Sequence, residues 1–176
     1  MKGWKNAQTV KNAVCVIINK TNHSPFGGFK LERRVAMKTL VARAAALAKR
    51  AHKGHVDKAG KDYYTYHLAV VAGRVKAKTT DPVAVATAYL HDVVEDTDVG
   101  LDVIRKDFGD AVADAVGMLT RPTGVTYAAY IDGIKAGDKT ARLVKLADLA
   151  DHLATPGAIP DTLVKRYKKA VATLIA

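Results

Sequence analysis

From Met37 onward, apolar residues recur at the spacing of a helix face, and the interruptions between such runs are short. This pattern constrains the fold more than any other feature, because a 3.6-residue repeat buries one stripe of a helix and cannot be laid on a strand. The first run is Met37, Leu40, Val41, Ala44, Leu47, Ala48 and Ala51. A Gly-containing loop from Lys53 to Lys61 follows, and a second helix is expected over about Tyr66–Ala77. Asp81 before Pro82 reads as an N-cap with proline at the first helical position, opening a third helix through about Val94. Asp98 is expected to cap a fourth helix that stops at Gly109, and a fifth covers Asp110 to Thr120, before Pro122. Runs near Thr126–Ala136, Asp138–Leu153 and Pro160–Ile175 complete the set. No period-two alternation and no internal repeat occurs after residue 36. Aromatics make up only 6% of the chain while Ala, Val and Leu dominate, which suits closely packed helices. The 176 residues suit one compact domain, so the expected fold is an all-α bundle of about seven or eight helices.

Residues 1–36 read differently. Thr21-Asn22-His23-Ser24-Pro25-Phe26-Gly27-Gly28-Phe29 is turn-rich and has no sustained periodicity. The segment is expected to be a basic, poorly ordered or peripheral extension to a domain spanning 37–176, with Met37 a candidate native start. Of the formal net charge of +11, this extension carries +6, because seven Lys and Arg stand against Glu32 alone. A basic surface attracts nucleic acid or a phosphate-rich small molecule. Without a basic helix or a basic-aromatic stripe beyond residue 36, the charge pattern argues against nucleic acid. A single cysteine, Cys15, excludes an internal disulfide and makes a reducing cytoplasm the expected compartment. No apolar run approaches the roughly 20 residues that span a bilayer. Ala13–Ile18 lacks a following cleavage pattern, so neither a membrane anchor nor a secretory signal is expected.

The densest chemical signal is Leu90-His91-Asp92-Val93-Val94-Glu95-Asp96-Thr97. On one continuous helix His91 and Glu95 share a face, Asp92 and Asp96 lie beside them, and Val83, Ala86, Leu90 and Val94 form the apolar face. Three carboxylates this close repel unless a cation sits among them, and imidazole plus carboxylate suits Mn, Fe, Co or Zn. An acidic N-terminal cap for the next helix would explain Asp96 and Asp98, but it gives no reason for His91-Asp92. Two further positions stay open on spacing alone. His67 opens the second helix and reads equally as a surface or core histidine. In Leu143–His152 the residues Leu143, Leu146, Ala147 and Ala150 are expected to form the buried stripe. Lys145, Asp148 and His152 then share another face, which an ordinary solvated Lys-Asp pair would also explain.

Five pieces in order carry a resemblance: Ala51-His52-Lys53-Gly54, Lys58-Ala59-Gly60-Lys61-Asp62-Tyr63 leading to His67, His91 to Thr97, Phe108-Gly109 with Val112, and Val144-Lys145-Leu146-Ala147-Asp148. Over about Ala45 to Thr155 the chain resembles the hydrolase domain of RelA/SpoT homologues, especially the single-domain small alarmone hydrolases, which are helical HD domains. The resemblance implies a divalent cation, usually manganese, and removal of pyrophosphate from the 3′ position of guanosine tetra- or pentaphosphate. It implies His67, His91, Asp92 and Asp148 as metal ligands, and Glu95 with Asp96 as the pair that orients and deprotonates the attacking water. Lys58 and Lys145 fall where the family meets substrate phosphates, although either reads equally as a solvated lysine. Alarmone synthesis is not expected, because the family's synthetase is a separate domain.

The chain departs from the family at three points. Asp57-Lys58 stands where Arg-Lys is common, Leu68 follows His67 in place of proline, and His152 occupies a position that is typically asparagine and is expected near the substrate ribose or the metal water. The expected partner is therefore a phosphorylated nucleotide, with guanosine 3′,5′-bispyrophosphate (ppGpp) first. A related nucleotide stands behind it, such as an adenosine alarmone, NADPH or another phosphomonoester. A catalytically idle nucleotide-binding module is the alternative from another class, and a homo-oligomer stays open. His52 and His55 are expected at the surface of the loop.

Overall fold

The computed structural model describes residues 27–57, 59–154 and 159–176. By internal contacts the chain divides into two compact units, Met1–Met37 and Lys38–Ala176, and the site lies in the second. The expected extension falls mostly outside the described residues, as do Lys58 and His23. Among the described residues the elements are α1 (Gly27–Ala51), a π-helical turn (Tyr64–Leu68), α2 (Ala69–Lys76), α3 (Pro82–Leu90), α4 (Val93–Asp96), α5 (Leu101–Phe108), α6 (Asp110–Leu119), α7 (Tyr127–Ala136), α8 (Lys139–His152) and α9 (Asp161–Ile175). The all-α expectation holds: extended pairing among these residues is limited to one isolated bridge, Val56 with Asp62.

The centre of the domain is α3, whose sequence Pro-Val-Ala-Val-Ala-Thr-Ala-Tyr-Leu carries no charge. A helix apolar on all sides must be buried on all sides. Ala84, Val85, Ala86, Thr87, Ala88 and Leu90 are buried accordingly. One face joins a core of Val71, Val75, Ile131, Ile134, Val144 and Leu149. The other joins Ala44, Ala48, Leu68, Ile104, Val112 and Val116. Its N-terminus is set as the sequence predicts: Asp81 accepts a hydrogen bond from the Val83 amide at 3.0 Å, and Pro82 takes the first turn. Thr126 and Asp138 cap α7 and α8 in the same way.

Several boundaries differ from the sequence expectation, each for a local reason. The first helix begins at Gly27, ten residues before the composition break. The second is a π-helical turn followed by α2, and the third breaks at His91-Asp92, where Asp92 adopts φ −102° and ψ −4°. Asp98 caps nothing; Gly100 holds the N-cap position of α5. On α8 the buried residues are Ala141, Val144, Ala147, Asp148 and Leu149, while Ala150 is exposed. The side carrying Lys145, Asp148 and His152 is turned inward instead of solvated, because α8 packs against both α2 and α3. His52, expected at the surface, is fully buried, whereas His55 is exposed.

Candidate metal centre and adjoining cleft

Two backbone irregularities present the central histidines. The π-helical turn contains His67 and inserts an extra residue into the winding, a feature common where a side chain must be re-aimed for function. The break after α3 releases His91 and Asp92 from the end of a buried helix. From α8 come Asp148 and His152, four residues apart.

These side chains meet. His67 Nε2 lies 3.5 Å from Asp92 Oδ2 and 3.5 Å from Asp148 Oδ1, while His91 Nε2 lies 3.1 Å from Asp92 Oδ2 and 4.0 Å from Asp148 Oδ1. Two overlapping groups have the spacing to hold a metal ion: His67, His91 and Asp92, and His67, Asp148 and His152. The tautomers support this reading. His91 Nδ1 donates to the Ala88 carbonyl at 2.9 Å, and His67 Nδ1 donates to Asp151 Oδ2 at 3.0 Å. Each ring is thereby left with its Nε2 lone pair aimed at the shared centre. His67 Nε2, His91 Nε2 and Asp148 Oδ1 are all buried without a hydrogen-bond partner. Buried polar atoms without partners are costly, and three around one point fit the donor set of a divalent cation.

Charge distribution agrees. Burial opposes a proton on His67, but the carboxylates of Asp151, Asp92 and Asp148 outweigh it and push the imidazole up to about 10. Burial would raise Asp92, but His91 and His67 hold it well below the usual carboxylate range. Burial likewise acts against ionised Asp148, which Lys145, His152 and His91 hold low. Lys145 Nζ sits 2.7 Å from Asp148 Oδ2. Asp96 shifts the other way, raised by burial and then by its neighbours Asp92 and Glu95. A cation at this point would take the place of the imidazole protons that otherwise balance the two ionised aspartates.

Three supports were not singled out from sequence. Asp151 accepts from both His67 Nδ1 and Arg74 Nη2, the latter at 3.2 Å. The Tyr63 hydroxyl donates to Asp92 Oδ2 at 2.7 Å. Buried His52 donates through Nδ1 to the Ala48 carbonyl and stacks on Tyr63 at 5.4 Å, and the Tyr63 ring lies 5.0 Å from His67. The four-residue step from Asp148 would have included neither Asp151 nor Tyr63; the role of Asp151 depends on how the π-helical turn meets α8, and that of Tyr63 on how its own segment meets the break after α3. At position 57, Asp57 closes its own loop by accepting from the Ala59 and Lys61 amides at 2.8 and 2.9 Å.

Beside the centre opens a cleft of about 210 Å³ lined by Glu95, Arg121, Tyr127, Tyr130, Lys145, Asp148, His152, Arg166 and Tyr167. Glu95 is exposed, and its Oε2 accepts from the Arg121 amide at 3.2 Å, which tethers one carboxylate oxygen at the cleft wall. Arg121, Arg166 and the three tyrosines come from the α6–α7 connection, α7 and α9, and no local pattern in the sequence marks them.

The HD domain family matches residues 44–155, nearly two thirds of the chain and every candidate metal ligand, while Arg166 and Tyr167 of the cleft lie beyond the match. The chain belongs to that family. The chain is 34% identical to a GTP pyrophosphokinase of Streptomyces coelicolor over 76% of its own length, covering 16% of that protein. It is 30% identical to the guanosine-3′,5′-bis(diphosphate) 3′-pyrophosphohydrolase of Haemophilus influenzae, over 73% of this chain and 20% of that one. The chain therefore spans a fifth or less of these two relatives. A solved structure described as a metazoan ortholog of SpoT that hydrolyses ppGpp matches at a TM-score of 0.65 and 25% identity, covering 77% of this chain and 83% of the other. These matches bear out the resemblance to RelA/SpoT homologues read from the five motif pieces. No helix among the described residues is long and apolar enough to cross a membrane.

Proposed function

We propose that this HD domain is a metal-dependent phosphohydrolase that removes the 3′-pyrophosphate of ppGpp, with manganese as its cation and a reducing cytoplasm as its compartment. The observation that carries the reading is the convergence of three partnerless buried atoms, His67 Nε2, His91 Nε2 and Asp148 Oδ1, beside a cleft bearing Arg121, Lys145 and Arg166. The names of the Haemophilus relative and the SpoT ortholog support the substrate. His67, His91, Asp92 and Asp148 hold the cation. Bound there, it supplies Lewis acidity, lowering the pKa of a water to about 7 and polarising a phosphoryl oxygen.

The chain's own groups do the rest. Glu95, tethered through one oxygen, keeps the other free to accept the proton of the attacking water. Asp96, whose raised pKa comes from burial and from Asp92 and Glu95, stands beside it to pass that proton on. Lys145 is held charged by Asp148 and Tyr130 against its burial, and with Arg121 and Arg166 it neutralises phosphate oxygens. Lys58 is assigned a phosphate contact on the family resemblance alone. The water oxygen adds to phosphorus, the bond to the ribose 3′ oxygen breaks, and that oxygen takes up a proton.

A second reading, hydrolysis of a related phosphorylated nucleotide, rests on Asp57, whose carboxylate is committed to its own loop and offers no guanidinium to stack on a purine. Incubating the protein with Mn²⁺ and a nucleotide panel, and measuring released phosphate and pyrophosphate, tests both. Pyrophosphate from ppGpp is the expected result. Turnover of another nucleotide alone selects the second reading, and no turnover of any leaves an idle binding module.

A further inference from the structure

We infer that His152 is a fifth protein ligand to the cation, so that this chain holds its metal with three imidazoles and two carboxylates. The inference rests on the proposed metal site and adds to it. Asp148 and His152 fall with His67 in one metal-competent group, and His152 Nε2 at 3.1 Å is nearer to Asp148 Oδ1 than His67 Nε2 at 3.5 Å or His91 Nε2 at 4.0 Å. His152 Nε2 lies 3.1 Å from Asp148 Oδ1, yet that oxygen remains buried with no hydrogen-bond partner. Two ligand atoms about 2.1 Å from one cation at a right angle stand about 3 Å apart, the separation seen here.

The ring's surroundings restrict it to this use. The His152 ring packs near-parallel to His67, with centroids 4.9 Å apart at 25°, and beside Tyr167 at 5.3 Å and 30°. Contacts with both leave its edge as the reactive part, and the Nε2 edge points at Asp148. Lys145 occupies the other Asp148 oxygen, Oδ2, so Oδ1 is the atom left for a shared cation. A third imidazole softens the ligand field. Carboxylate-rich sites suit Mn, whereas imidazole suits Zn, Fe and other later metals. His152 thus narrows the margin by which the site takes Mn²⁺, raising its affinity for Co²⁺, Fe²⁺ or Zn²⁺ relative to Mn²⁺.

Calorimetric titration of the full-length wild type and His152→Asn with Co²⁺ and with Mn²⁺ tests this, with circular dichroism melting confirming that the variant folds. Asparagine keeps hydrogen-bonding capacity and loses the imidazole. Co²⁺ affinity is expected to fall by at least about tenfold in the variant and Mn²⁺ affinity by less, so that the ratio between the two metals moves. Pulsed electron paramagnetic resonance on the Mn²⁺-loaded proteins should count three coupled imidazole nitrogens in the wild type and two in the variant. Equal constants and equal nitrogen counts would overturn the role of His152 while leaving the four-ligand site standing. A wild type that binds neither cation would overturn both.

Discussion

Glu95 and Asp92 lie three residues apart, yet the structure gives them different surroundings. Asp92 is gripped by His91, His67 and Tyr63, while Glu95 is exposed at the cleft with one oxygen on the Arg121 amide. Glu95→Gln should lower turnover by about 10²-fold or more, the usual scale for losing a general base, with metal content nearly unchanged. Asp92→Asn should lower metal content and turnover together. Metal analysis beside a pyrophosphate-release assay separates the two, and a Glu95→Gln protein that loses its metal would invert the assignment. Asp151 carries a third expectation, because it fixes the tautomer of His67 from outside the site. Asp151→Asn should weaken cation binding by about 10- to 100-fold in calorimetry, the range for a partner behind a ligating imidazole.

At the scale of elements, what matters is where regular winding stops. A continuous helix from Asp81 to Val94 would have placed His91 and Glu95 on one face. The break at His91-Asp92 lets Asp92 Oδ2 approach both imidazoles, and the π-helical turn moves His67 under them. Neither irregularity has a proline or glycine to announce it. Gly109 is the opposite case, visible in sequence and required in structure. It joins α5 to α6 as the single residue between them, at φ 86° and ψ 169°, a conformation open to glycine and strained for other residues. Gly109→Ala should cost about 1–3 kcal/mol in urea unfolding, although a Cβ there meets nothing within 4 Å. An unchanged midpoint would show that the α5–α6 corner relaxes freely.

For the whole molecule, the proposed cation site would couple folding stability to cation binding. Four groups from three separate parts of the chain present partnerless atoms or paired charges to one point, so a cation that binds the folded form stabilises it. At about one hundred times its dissociation constant the gain is roughly 2.7 kcal/mol. A domain of this size should then melt several degrees higher with Mn²⁺ than with a chelator, at about 2–4 °C per kcal/mol. Scanning calorimetry with and without chelator reads this directly, and identical traces would argue against a bound cation. The domain boundary gives a further expectation. We propose that a chain beginning at Met37 folds and keeps its metal affinity, since the described site residues and both buried cores lie beyond it. Loss of helical circular dichroism in that truncation would place residues of the extension within the fold.

The all-α class and most helix spans could be read from sequence, because periodicity and caps are local patterns that chemistry imposes on neighbours. Asp81-Pro82 and Gly109 acted where they were expected to act for that reason. His67 and Asp148, in contrast, joined His91 and Asp92 only through the family resemblance, since their spacing alone left them open. The inward turn of Asp148 and Lys145, the burial of His52 behind Tyr63, the grip of Asp151 on His67, and the Arg121–Arg166 cleft were not legible. The His52 burial depends on how the loop before the π-helical turn folds back on α1, and the others on how α8 and α9 dock against α2, α3 and α7. Burial of a charged side chain is favourable only when distant partners arrive together, and such partners leave no spacing in the chain to be read.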